Sequence, residues 1–413
     1  MANIIYFGVD LHGHVNPTLA LIRKLVERGD KVVYYCSDEF RSKIERTGAT
    51  FRSYRGLLNF TMHEGSGIDT FLVFADFILE KGRLLADRLY EEVSGLRPDC
   101  VMHDAFAYWG KELAAKLDVP GVSVFANFPF IHEMAESDPG FFMEVVLRAA
   151  DDPLYKKYKG QADMYPKLIE KVSRMIARRH GLGEVNVIND VFGSKQPLNL
   201  IFSSRAFQLY EEAFDESYLF AGYTADRRSD AEPFPMERLD GRPLVYIAFG
   251  TILHELGDLI EGCMKALGGE DVQVVMSVGR QFPIERLAGV PDNFLIMPYV
   301  PQLELLERAS AFITHGGANS IYESLCAGVP MVVVPQAFDE FMGALMVERA
   351  EAGIRLESES FAPEALREAV RTVLGDPAYR LGCARIRDSF RETGGLDMAV
   401  RRIIHYMEQR VNA

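Results

Sequence analysis

The sequence predicts an α/β protein built as two successive parallel-sheet domains. Three observations carry that expectation. Short β-branched runs alternate with amphipathic helical stretches in both halves of the chain, the pattern of a parallel sheet covered on both faces. The alternation lapses at the polar, proline-containing stretch "TADRRSDAEPFPMERLDGRP", which has no period and reads as a linker, and then restarts. Finally, 413 residues exceed what one compact core usually serves.

In the first half the strand candidates are Ile4–Gly8, Val32–Cys36, Thr50–Tyr54, Cys100–Asp104 and Gly121–Phe125. Between them, "PTLALIRKLVERGD" places Leu19, Ile22, Leu25 and Val26 at helical spacing. Pro17 is expected to open that helix, a favoured position for proline. From about Phe130 to Asp190 the strand–helix rhythm breaks, and the stretches "FPFIHEM" and "GFFMEVVL" are rich in Phe and Met. This segment reads as a helical insertion, whose aromatics either line an apolar pocket or simply pack the insertion. The second half restarts at "RPLVYIAFGT" and continues through "DVQVVMSVG", "NFLIMPYV", "SAFITHGG" and "GVPMVVVPQ", each separated by a helical stretch. The expected boundaries are 1–222 for the first domain, 223–240 for the linker, 241–395 for the second domain and 396–413 for a terminal helix. Ligands of open α/β sheets bind at the carboxyl ends of the strands, so chemistry is expected at the strand-to-helix turns.

Bulk composition narrows the function. Hydrophobic residues make up 48% and charged residues 25%, an ordinary globular profile. The net charge of -14 argues against a general nucleic-acid or anionic-membrane binder. Five scattered cysteines without Cys-x-x-Cys spacing suggest reduced thiols. The chain enters a strand pattern directly, and no apolar run approaches membrane-span length. A cytoplasmic protein without stable membrane insertion is the expectation, as a monomer or weak homodimer.

Three constellations carry the chemistry. In "FGVDLHGHVNP" a strand ends and a glycine-containing loop bears His12 and His14. A histidine at the C-terminal edge of a sheet is placed to act as a base near neutrality. The alternatives are a loop histidine with no role and a His-x-His metal site, for which no partner spacing exists. In "PDCVMHDAFAYWGKELAAK", Asp104 ends a strand beside a helix start. It is either a helix N-cap or a carboxylate facing His14 to orient and stabilise the imidazolium. His103, its neighbour, should point to the opposite face.

The third constellation spans "MPYVPQLELL", "THGGANSIYESLCAGVP" and "VPQAFDEF". Gly316 and Gly317 sit where a buried strand turns into a helix, a ready anion site. Ser320 adds a hydroxyl in the first turn, and Glu323 one turn on suits ribose hydroxyls. Tyr299 offers an aromatic face ahead of Val300-Pro301-Gln302, whose amide could read a base. Gly250 and Thr251 form a further turn after the first strand of the same domain.

In these residues the sequence resembles the nucleotide-sugar-dependent family 1 glycosyltransferases of GT-B fold, in particular their bacterial macrolide-type branch. "GHVNPTLAL" is similar to the branch's acceptor-side motif, and "VPQLELL…FITHGGANSIYESLCAGVPMVVVPQAFDEF" to its donor signature nearly throughout. The resemblance runs from Ile4 to "MAVRRIIHYMEQ". It implies two Rossmann-like domains facing across a cleft, acceptor side first and donor side second, with the terminal helix packing back on the first. It implies His14 as catalytic base and Asp104 as its partner. His315 and Ser320 with the Gly-Gly turn would hold a diphosphate, Glu323 the ribose, Tyr299 and Gln302 the base, and Asp339 with Glu340 the sugar, with Val300 and Asn319 also on the donor side. Gly250 and Thr251 would complete the donor side. Phe74, Phe128 and Phe130 would border the acceptor. Tyr299 stands where many relatives carry Trp or Arg, and Glu340 where glucose-using relatives usually carry Gln.

The implied reaction is inverting transfer of a hexose, from UDP-glucose, to a hydroxyl of a partly apolar small molecule such as a macrolide or polyphenol. No Asp-x-Asp occurs, so no metal site is expected and the nucleotide sugar is a co-substrate rather than a cofactor. A nucleotide-sugar epimerase, which acts without acceptor, and a non-catalytic nucleotide-sugar-binding protein are the alternatives on the same architecture.

Overall fold

The structure is a computed structural model that describes residues 1–59, 67–223, 234–250, 257–280, 282–336, 339–357 and 362–411. By internal contact the chain divides into unit 1, Met1–Thr224 with Phe390–Ala413, and unit 2, Ala225–Ser389.

Unit 1 is built on a seven-stranded sheet of β1 (Asn3–Phe7), β2 (Lys31–Cys36), β3 (Thr50–Ser53), β4 (Cys100–Asp104), β5 (Gly121–Phe125), β6 (Leu198–Ile201) and β7 (Tyr218–Phe220). Their order is β3-β2-β1-β4-β5-β6-β7, and all pairs are parallel. Side chains alternate along β1: Ile4 and Tyr6 enter one core, Ile5 and Phe7 another. That two-residue period, apolar on both faces, is what a parallel strand buried on both sides requires. The first core is covered by the helices His12–Glu27 and Gly395–Val411, the second by Gly67–Gly95 and Tyr108–Lys116. A third apolar cluster holds the insertion, whose helices Pro153–Tyr158 and Met164–His180 pack with the π-helical turns Phe141–Val146 and Val187–Phe192.

Unit 2 carries six parallel strands: β8 (Leu244–Ala248), β9 (Gln273–Ser277), β10 (Phe294–Met297), β11 (Ala311–Thr314), β12 (Met331–Val333) and β13 (Gly353–Arg355). The order is β10-β9-β8-β11-β12-β13. Both sheets therefore reverse direction of growth once, between β1 and β4 in unit 1 and between β8 and β11 in unit 2. Such a reversal opens a crevice at the strand carboxyl ends.

Two expectations are corrected here. Pro17 does not open its helix, which begins at His12 with Leu11 as N-cap and carries Pro17 inside it. Pro17 there has no N–H to give the Gly13 carbonyl and its ring crowds that carbonyl, a cost that the packing of the helix's buried face, Val15, Leu21, Ile22 and Leu25, outweighs. His14 consequently stands on the first helical turn, with its backbone N–H donated to the Leu11 carbonyl at 2.9 Å. Asp104 is not a helix N-cap either, since the next helix begins at Tyr108 behind Ala107. Linker residues 224–233 lie outside the described residues. Among the described residues, no helix is long and apolar enough to cross a membrane.

Candidate active site

In unit 1 the site forms where the sheet reverses. His14 follows β1 and Asp104 ends β4, and these strands are neighbours in register. His14 Nδ1 lies 2.8 Å from Asp104 Oδ2, with 10% of the histidine side chain exposed and 1% of the aspartate. Asp104 uses its other oxygen, Oδ1, to accept the Phe106 backbone N–H at 2.9 Å. A carboxylate only accepts, so Nδ1 carries a hydrogen, and in the neutral ring it is then Nε2 that bears the lone pair. The Phe106 ring lies against the imidazole, centroids 5.1 Å apart. His12, in contrast, is exposed and contacts the edge of Phe40. His103 points to the opposite face: buried, its ring meets the Asp104 carbonyl and the Gln196 amide, and burial pushes its pKa down to about 4.

An aromatic row leads away from this pair. Phe74 packs edge-on against Phe106 at 5.4 Å and tilted against Phe192 at 5.5 Å. Phe130 stacks on Phe142 at 4.6 Å. Phe74 and Phe130 are partly exposed, whereas Phe128 is 1% exposed and its ring belongs to the packing of the unit. Beneath the row a narrow apolar pocket is lined by Ile68, Phe71, Phe142, Tyr165, Leu168 and Val172, among others.

In unit 2 the residues gather where β8 and β11 part. Gly250 follows β8 and His315 follows β11, and a Cβ on Gly250 would come within 3.0 Å of the His315 ring. Thr251 lies outside the described residues. Gly316 has φ +97, a conformation that costs glycine nothing. A Cβ on Gly317, the N-cap of helix Ala318–Ala327, would press to 2.6 Å from His315 Nε2. As a glycine, Gly317 brings no capping side chain, and Asn319 and Ser320 stand partly exposed on the first turn. Burial pushes the His315 pKa down to about 4, so the ring is a neutral donor and acceptor at neutral pH.

Glu323 is 4% exposed and accepts the Gln302 amide at 2.6 Å; the same Nε2 lies 3.4 Å from Ser320 Oγ. Gln302 thus aims its amide nitrogen at the residues expected to hold ribose and phosphate. Val300 is 2% exposed, which leaves only its backbone to a ligand. Tyr299 is partly exposed, and the Arg280 guanidinium stands 5.3 Å from its ring centroid. Asp339 and Glu340 open the helix Asp339–Arg349. Glu340 accepts the Gln336 N–H at 2.7 Å and lies 3.8 Å from His315 Nε2. Among the described residues no three His, Cys, Asp or Glu side chains group as a metal site. Sequence reasoning missed Phe106, Arg280 and Tyr246, whose hydroxyl reaches Gln302 Oε1 at 3.2 Å. Only Phe106 left a signal, its place two residues beyond Asp104.

Residues 261–393 match the family model described as erythromycin biosynthesis protein CIII-like, C-terminal domain. The chain is 30% identical to the uncharacterized UDP-glucosyltransferase YojK of Bacillus subtilis, covering 100% of this chain and 99% of that protein. It is 32% identical to the NDP-glycosyltransferase YjiC of Bacillus licheniformis, with 96% of each covered. Among solved structures, the glycosyltransferase of kitacinnamycin superposes with a TM-score of 0.78 at 24% identity, over 98% of this chain and 99% of that one.

Proposed function

From the premise that the chain belongs to the family 1 nucleotide-sugar-dependent glycosyltransferases of GT-B fold, we propose that it transfers glucose from UDP-glucose to a hydroxyl of a partly apolar small molecule, with inversion. The observation that carries the reading is the 2.8 Å pair of His14 with the buried Asp104 at the β1/β4 reversal. Nδ1–H is committed to Asp104, so Nε2 is the base. It takes the proton of the acceptor hydroxyl as that oxygen bonds to the anomeric carbon and the bond from that carbon to the diphosphate oxygen breaks. UDP leaves with the electron pair, and the proton rests on His14, whose positive charge Asp104 stabilises.

Unit 2 supplies the grip on the donor. Negative charge grows on the departing diphosphate, and the Gly316–Gly317 turn with the helix behind it offers backbone N–H groups there. His315, neutral through burial, adds a ring N–H without needing a proton from solvent. Such fixed donors stabilise the transition state more than the ground state. In this reading they meet the diphosphate charge and no divalent cation takes part. Glu323 receives the ribose, Tyr299 stacks the base with Arg280 above it, and Asp339 with Glu340 faces the sugar. The acceptor lies along Phe74, Phe106 and Phe130.

Incubation with UDP-glucose and a panel of phenolic and macrolide acceptors, read by mass spectrometry, tests the proposal. The expected product is acceptor plus one hexosyl group, formed with stoichiometric UDP and absent in His14→Ala. Conversion of UDP-glucose to another hexose nucleotide without any acceptor would overturn it.

A further inference from the structure

Three side chains on three elements of unit 2 form one hydrogen-bonded run. Tyr246, in the middle of β8, is 1% exposed, and its ring lies flat on Phe312 of β11, centroids 4.9 Å apart and planes 7° from parallel. The stack fixes the phenol, whose hydroxyl meets Gln302 Oε1 at 3.2 Å. Gln302 opens the helix Gln302–Leu306 and gives its Nε2 to Glu323 Oε2 at 2.6 Å. Glu323, on the helix Ala318–Ala327, is the buried end of the run.

The direction of the run follows from chemistry. A carboxylate can only accept, so the amide nitrogen must face Glu323 and the amide oxygen must face Tyr246, which therefore donates. Without the phenol hydroxyl, Gln302 Oε1 would lose a buried donor. The side chain would then be drawn toward another donor, since an unmade hydrogen bond costs more than a made one contributes. Glu323 would lose the hydrogen bond that Gln302 gives its Oε2.

We propose that Tyr246 is a positioning residue for ribose recognition: it anchors Gln302, and Gln302 orients the Glu323 carboxylate to receive the ribose hydroxyls of the bound nucleotide. This rests on the reading of unit 2 as the donor site. It extends that reading to selectivity, because an oriented acceptor rewards the 2′-hydroxyl, and the enzyme should prefer ribonucleotide over deoxyribonucleotide donors. Tyr246 touches no ligand in this scheme and acts only through Gln302.

The test is calorimetric titration of the full chain with UDP and with dUDP, for wild type, Tyr246→Phe, Gln302→Met and the double variant, with thermal melts of each. Wild type should bind UDP more tightly than dUDP. Tyr246→Phe should shrink that ratio by about three- to tenfold, the effect of one lost hydrogen bond. Gln302→Met should shrink it at least as much, and the double variant no further, because both changes break the same run. A Tyr246→Phe protein that melts like wild type and keeps the wild-type ratio overturns the proposal while leaving the donor site intact. If Tyr246→Phe does not fold, an unchanged ratio in Gln302→Met overturns it instead. Wild type that binds UDP and dUDP equally overturns the proposal while leaving the donor site standing, and wild type that binds neither refutes the donor-site assignment itself.

Discussion

Replacing Asp104 by Asn separates the two things this carboxylate does for His14. Oδ1 accepts the Phe106 N–H at 2.9 Å, and Oδ2 faces His14 Nδ1 at 2.8 Å. In the variant the amide oxygen must stay with the Phe106 N–H, because an NH₂ group cannot accept from it. The NH₂ group then faces Nδ1, and two donors meet unless Nδ1 surrenders its hydrogen. The ring answers by carrying the proton on Nε2, the nitrogen that has to take the acceptor's proton. The variant also lacks the charge that steadies the imidazolium. Two unit charges about 4 Å apart at an effective dielectric of about 20 interact by about 4 kcal/mol, a factor of about 10³ in rate. Tautomer and charge together should lower turnover by about 10³ to 10⁴. Steady-state kinetics with UDP-glucose and one phenolic acceptor, beside calorimetric titration with UDP, would read both halves of the claim. Affinity for UDP should be unchanged, since its proposed contacts all belong to unit 2, and the melting temperature should hold because the Phe106 bond survives. Turnover within about tenfold of wild type, or a loss of UDP affinity instead, would refute the reasoning.

Other consequences are as accessible. His103 and His315 are both held near pKa 4 by burial, below the roughly 6.5 of an unfolded chain. The unfolded state therefore binds protons first as pH falls, and stability should drop between about pH 6.5 and 4, by roughly 3 kcal/mol per histidine over the whole window. Urea unfolding at several pH values should show this, with a shallower slope in His103→Asn; an unaltered slope would assign the effect elsewhere. Transfer activity should survive excess chelator, and complete loss restored by Mg²⁺ or Mn²⁺ would contradict the proposed diphosphate grip. With Asp339 and Glu340 at the sugar, UDP-glucuronate should be at least about tenfold poorer than UDP-glucose in kcat/KM. Glu340→Gln should change the ranking of neutral sugars more than the rate, and comparable efficiency with glucuronate would remove the pair from the sugar site.

The sequence disclosed the centre of each sheet better than its margins. Strands such as β1 and β8 are buried on both faces and read as apolar runs. The strands it did not disclose, β6, β7 and β13, have three or four residues and lie toward the sheet edges, too short to establish a period. Pro17 misled because proline's preference for a helix start is a tendency that the tertiary fold overrode. At the site, His14 and Asp104 were legible as residue types at strand ends, but the contact between them depends on β1 and β4 being neighbours across a separation of 90 residues. Tyr246 was illegible: inside "LVYIA" it is one more apolar strand residue, and only the register of β8 against β11 brings its hydroxyl to Gln302.

Unit 1 is discontinuous in sequence, since Phe390–Ala413 return to it after all of unit 2 has been passed. Leu396, Val400, Ile403 and Met407 from that return finish the core begun by Ile4 and Tyr6, and full burial of such side chains is worth about 1.5–3 kcal/mol each. The core of unit 1 therefore cannot be completed until the chain has run through all of unit 2, so the usual order, in which an N-terminal domain matures first, is not open to it. Until then the face begun by Ile4 and Tyr6 stays apolar and uncovered. A truncation or fusion at the C-terminus acts on the half that bears His14, although no two parts of the chain are farther apart in sequence.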